Sequence, residues 1–137
     1  MEGHVNVTVL SRSRYEGGED VLAFAGNGLL KRTERGWHLR YTASSQDGSH
    51  MASDVRLEDG RATVRNITGD YTLILDPRET TQARIPTQLG ALTMAVTTRG
   101  LDWQLEEAPG RIMMDYTLTA LGQTLSDLHL TVYLTYK

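Results

Sequence analysis

Hydrophobic and polar residues alternate with a period of two along most of the chain, in runs broken by turn-forming residues. Such a period places successive side chains on opposite faces of an extended strand. Val5, Val7 and Val9 share one face, with Asn6 and Thr8 on the other. A second segment runs from Val21 to Thr33 and contains Gly26-Asn27-Gly28. Glycine inside a strand predicts a bulge or sharp bend, as a long strand needs at a barrel corner. Trp37, Leu39 and Tyr41 alternate with His38, Arg40 and Thr42. The preceding turn, Glu34-Arg35-Gly36, offers a glycine where a hairpin often needs positive φ. Val55 and Leu57 alternate with Asp54, Arg56 and Glu58, and Asp59-Gly60 is a strong two-residue hairpin signal. Ala62-Thr63-Val64-Arg65 follows, and Gly69-Asp70 separates it from Tyr71-Thr72-Leu73-Ile74-Leu75. Asp76-Pro77 ends that run, because proline cannot donate to a ladder.

The last third alternates most cleanly. Leu92, Met94 and Val96 oppose Thr93, Ala95 and Thr97, and the strand continues through Leu101, Trp103 and Leu105. After Ala108-Pro109-Gly110, Ile112, Met114, Tyr116 and Leu118 oppose Met113, Asp115, Thr117 and Thr119. After Leu121-Gly122-Gln123, Leu128, Leu130, Val132, Leu134 and Tyr136 oppose His129, Thr131, Tyr133 and Thr135. A helical turn is expected only within Arg78 to Ile85, stopped by Ile85-Pro86. Short strands joined by tight turns predict an antiparallel meander. An open sheet of that many strands would expose two edges. The expectation is an all-β domain over residues 1–137, closed or nearly closed into a small barrel of about eight to ten strands.

Composition removes several kinds of chemistry. The chain has 137 residues and no cysteine, so disulfides, thiolate nucleophiles and thiolate-held metals are absent. That absence, with no basic and apolar leader at the N-terminus, fits a cytoplasmic protein. No apolar stretch is long enough to cross a bilayer as a helix. A net charge of −3 argues against a general binder of nucleic acid or anionic membranes.

Several segments together resemble a known family. These are Thr80-Thr81, Thr87-Gln88-Leu89-Gly90-Ala91-Leu92 before a long strand, Gly110-Arg111-Ile112 leading into Asp115-Tyr116-Thr117-Leu118, and Arg65 near Gly69. With the final alternating strand they make the chain similar to the YwiB-like family of small bacterial proteins, a family of unknown function. Ile85 departs from the pattern, since an aromatic residue is expected there. The resemblance implies a calycin-like barrel and, by analogy with lipocalins and fatty-acid-binding proteins, an interior ligand site.

Candidate chemistry is sparse. Ser126, Asp127 and His129 cluster in sequence, but in a strand Asp127 and His129 share one face while Ser126 points to the other. That spacing does not build a nucleophilic triad. His4, His38, His50 and His129 are too dispersed for a metal site, and the expectation is no metal and no cofactor. Arg12, Arg14, Arg40, Arg56 and Arg65 could line an anionic-ligand face, although interleaved acidic residues favour a solvated exterior. The aromatic residues are more suggestive, because an inward tyrosine has an apolar ring and a hydroxyl that wants a partner. The expectation is a non-catalytic barrel binding a small apolar or amphipathic ligand. Tyr41, Tyr71, Trp103, Tyr116 and Tyr136 would line the interior, with Arg40 or Arg65 at the rim for an acidic head group. A second reading is a protein-interaction or self-association module using a sheet face or edge, for a partner or a homodimer, with the stripe Thr93, Thr97, Thr117, Thr119, Thr131 and Thr135 as a flat polar surface. A small hydrolase is a third, for which no convergent groups are legible.

Overall fold

The computed structural model describes residues 1–137 and contains ten strands and no helix. They are β1 (Gly3–Tyr15), β2 (Gly18–Arg32), β3 (Gly36–Ser44), β4 (His50–Glu58), β5 (Arg61–Asn66), β6 (Tyr71–Leu75), β7 (Thr81–Thr87), β8 (Gly90–Gln104), β9 (Gly110–Ala120) and β10 (Gln123–Tyr136). All belong to one antiparallel sheet in the order β6-β5-β4-β3-β2-β1-β10-β9-β8-β7. Consecutive strands pair as the tight turns require. The first strand also pairs with the last, from Val5 opposite Tyr136 to Arg14 opposite Asp127. That pairing curls the meander round until β6 and β7 meet without a ladder, so the barrel is nearly closed. Thr81 Oγ1 bridges the seam by donating to the Ile74 carbonyl at 2.5 Å.

The residues expected to carry a helical turn, Arg78 to Ile85, instead cross from the seam into β7. Edge position explains how Pro86 is tolerated there, since its missing N–H breaks no ladder on the open side. The crossing is organised by Asp76, whose side chain is 1% exposed. It accepts the Arg78 backbone N–H at 3.0 Å, Arg78 Nε at 2.9 Å and Arg78 Nη2 at 3.1 Å, and lies 3.3 Å from Arg61 Nη2. The Arg78 side chain and backbone hold its carboxyl below the usual carboxylate range against the opposing effect of burial.

Turn chemistry follows the expected residues except at one site. Asp59 and Gly60 both take positive φ, as do Leu121 and Gly122, which suits tight hairpins. Gly36 does not. A Cβ there would lie 1.7 Å from the Leu57 carbonyl oxygen, so glycine is needed for close approach of β3 to β4. The bend predicted at Gly26-Asn27-Gly28 is likewise a close approach, of β2 onto β3.

Inward side chains from all ten strands merge into one apolar core, with Val5, Leu39, Val55, Leu75, Val96, Ile112 and Leu134 fully buried. Burying such a side chain contributes about 1.5–3 kcal/mol. The two ends differ. The lower end carries the β2–β3, β4–β5, β6–β7 and β8–β9 connections, where Leu30, Trp37, Leu57 and Leu105 are buried. Arg32 stacks on Trp37 at 4.3 Å and pairs with Glu106. The Met1 nitrogen donates to the Leu105 and Glu106 carbonyls at 3.1 and 2.7 Å across the floor of this end. The upper end carries the other five turns, and its inward residues Phe24, Met51, Tyr71, Ile85, Leu118 and Leu128 are only half buried.

Candidate functional site

The upper end gathers the interior polar groups. Tyr71 opens β6, pairs with Asn66 at the close of β5, and accepts a hydrogen bond from Asn66 Nδ2 at 3.0 Å. Asn66 sits opposite Ser53 of β4, which sits opposite Tyr41 of β3. Period-two geometry turns all four inward. Tyr116 of β9 reaches the same region from across the barrel. Burial raises its hydroxyl pKa first, and the nearby Tyr71 and Tyr41 raise it further. Burial also raises Tyr41, partly offset by the facing Ser53 hydroxyl. Tyr41 and Tyr116 therefore stay protonated and neutral.

Thr98 completes the set. It lies opposite Tyr116 on β8, is 8% exposed, and its Oγ1 is the one buried side-chain polar atom without a hydrogen-bond partner. Leaving a buried hydroxyl unpaired costs about 1–3 kcal/mol, so its position calls for an explanation. A bulge follows it directly. The register of β8 against β9 shifts between Thr98 and Gly100, with Arg99 as the extra residue. Arg99 swings to the outer surface and pairs with Asp115 at 2.8 Å and Asp127 at 3.1 Å.

Of the residues expected to form a ligand site, the structure brings Tyr41, Tyr71 and Tyr116 together. Trp103 points inward and is half buried, lower on β8 and opposite Ile112. Tyr136 is 58% exposed at the last residue of β10 and lies outside the group. Arg40 and Arg65 stand on the outer wall, paired with Asp54 at 3.2 Å and Asp70 at 2.7 Å. Neither faces the tyrosines. Thr98, Ser53 and Asn66 are the site residues that sequence reasoning missed.

Ser126 points inward, its Oγ 3.0 Å from Ser13 Oγ, while Asp127 faces outward and accepts from Thr117 Oγ1 at 2.6 Å. The threonine stripe is uneven: Thr93, Thr97 and Thr135 are exposed, Thr117 and Thr119 half buried, and Thr131 buried. The strand arginines divide between two outer walls, with Arg12 and Arg14 around one 300 Å³ concavity and Arg40, Arg56 and Arg65 around a 380 Å³ one.

Fold and site define a class: a one-sheet, ten-stranded, nearly closed barrel with an apolar lower end and hydroxyl groups gathered at its upper end. The family model described as "Domain of unknown function (DUF1934)" matches residues 7–132, and the chain belongs to that family. Among solved structures, the barrel is similar to one described as the crystal structure of ywiB protein from Bacillus subtilis. The TM-score is 0.75 and the identity 20%, over 96% of this chain and 92% of that one. The family match and this neighbour together bear out the family resemblance, and at such identity the neighbour by itself speaks for the fold alone. No curated protein matches the chain. No helix is long and apolar enough to cross a membrane.

Proposed function

We propose that the barrel is a non-catalytic, calycin-like binding module that takes one small, largely apolar ligand at its upper end. The observation that carries this reading is Thr98 Oγ1, the one buried side-chain polar atom without a hydrogen-bond partner, opposite Tyr116. Small-molecule sites pair apolar walls with a few convergent polar groups. Phe24, Met51, Leu118 and Leu128 supply the walls here, and Tyr41, Tyr71, Tyr116 and Thr98 the polar groups. Asn66 occupies an acceptor position on the Tyr71 oxygen and leaves its proton free to donate. Since Arg40 and Arg65 stand outside, an acidic head group has no cation to meet. A site of O–H donors without fixed charge suits a neutral acceptor such as a carbonyl or ether.

The test compares acetophenone, which has a carbonyl, with ethylbenzene, which has nearly the same shape and no acceptor. Titrations followed by NMR are expected to show acetophenone shifting signals of Thr98 and Tyr116. Thr98→Val and Tyr116→Phe are each expected to weaken acetophenone about five- to tenfold, the size of one net hydrogen bond, and to leave ethylbenzene unchanged. Shifts confined to the outer wall, or equal effects of both variants on the two probes, would refute the reading.

A further inference from the structure

The outer wall of β3–β5 carries a second feature, independent of the interior. Two concavities lie side by side there, one of about 450 Å³ between Arg35, Arg56, Arg61 and Arg78, the other of about 380 Å³ between Arg40, Arg56 and Arg65. Arg56 and Thr63 line both, and they are cross-strand neighbours of β4 and β5. Six arginines line the two concavities with Asp54, Glu58 and Asp59, while Asp70 pairs with Arg65 and Asp76 with Arg61 and Arg78 from beside them, on a chain whose net charge is −3. Arg35 pairs with Asp59 at 2.9 Å, and Glu58 is engaged by Thr33 Oγ1 at 2.9 Å. The Arg56 side chain alone of the six has no ion pair and no hydrogen bond, and Glu58 in the same concavity is likewise without an ion pair.

The wall is also pre-organised. Asp76, behind it and almost fully buried, holds Arg78 through both carboxylate oxygens and touches Arg61, while Arg78 Nη2 also reaches the Asp59 carbonyl at 3.1 Å. Each guanidinium has five N–H donors, and these contacts leave several without a partner in residues that line the concavity. Arginine forks match phosphoryl oxygens in pairs, so an arginine held in place loses little freedom on binding. The paired concavities exceed one phosphate and meet at Arg56. No aromatic side chain lines either of them, so a nucleobase has no stacking platform.

We propose that this wall binds a compact anion carrying two or more phosphoryl groups, with the unpaired Arg56 and Thr63 at the centre and Arg61 and Arg78 as fixed supports. The anion is either free diphosphate or an organic bisphosphate. Calorimetry with inorganic diphosphate, tripolyphosphate and a hexose bisphosphate, at matched ionic strength, tests it. Saturable one-to-one binding is expected, and preference for the inorganic or the organic probe tells which source the wall suits. Arg56→Gln is expected to weaken binding at least tenfold. Arg84→Gln, on β7 and equally free of ion pairs, is expected to change it less than twofold and controls for net charge. No saturable binding, or equal weakening by the two variants, would overturn the proposal. So would single-stranded polyuridine binding more tightly than tripolyphosphate with the same dependence on Arg56.

Discussion

Replacing Gly26 by alanine is expected to cost about 4 kcal/mol or more, a loss reserved for changes that break packing outright. A Cβ at this inward position of β2 would sit 1.9 Å from the Thr42 carbonyl oxygen and 2.7 Å from the Ala43 Cα. Both neighbours are backbone atoms of β3, so no side chain can swing aside. Relief requires β2 and β3 to separate where they pair Gly26 with Ala43. Gly100→Ala is the matched control. Its Cβ would meet only the Asp115 Cβ at an ordinary 3.5 Å, and its φ is not in the left-handed region. Urea unfolding should show Gly100→Ala within about 0.5 kcal/mol of the parent, as for a change that breaks no packing. Equal midpoints for the two variants would mean that β2 does not press against β3.

Trp37→Ala is expected to cost about 3–5 kcal/mol, the range for deleting a buried aromatic side chain. Trp37 is buried at the lower end beneath the Arg32 guanidinium. Losing it removes apolar contacts to the core and strands Arg32, whose remaining partner is Glu106. A domain of this size is typically stable by about 5–15 kcal/mol, so the variant should fold but unfold at far lower denaturant. Arg32→Gln removes the cation alone and should cost about 0.5–1 kcal/mol. If both variants lose the same small amount, the floor is not built as described.

Much of this barrel is legible in the residues, and the exceptions are instructive. Val5, Val7 and Val9 or Ile112, Met114 and Tyr116 announce their inward faces because one side of the sheet is buried, which makes a period of two unambiguous. The same rule separates Arg40 from Tyr41, adjacent residues that cannot point into one interior. Arg65 is excluded likewise by its inward neighbour Val64. The bulge at Arg99 is visible as a change of parity, from the even Leu92, Met94 and Val96 to the odd Leu101, Trp103 and Leu105. That slip turns Leu101 inward, whereas Thr98 keeps the even parity of the first half of the strand. Other features depend on contacts between distant segments. Asp76 meets Arg61 only because β5 pairs with β6, and Tyr116 approaches Tyr41 only because the sheet closes. Local propensity misled at Arg78 to Ile85, where pairing with β8 outweighs any helical tendency. The positive φ expected at Gly36 was the wrong reason for the right residue.

Both binding proposals rest on a ring zipped by its first and last strands, with the seam between β6 and β7. Residue-resolved amide hydrogen exchange tests that arrangement most directly. Amides in the β1–β10 ladder, such as those of Val7, Val9, Val132 and Leu134, are expected among the slowest in the molecule, and amides of β7 directed at β6 among the fastest within strands. Fast exchange throughout β1 and β10, with protection running unbroken from β6 to β7, would contradict the account.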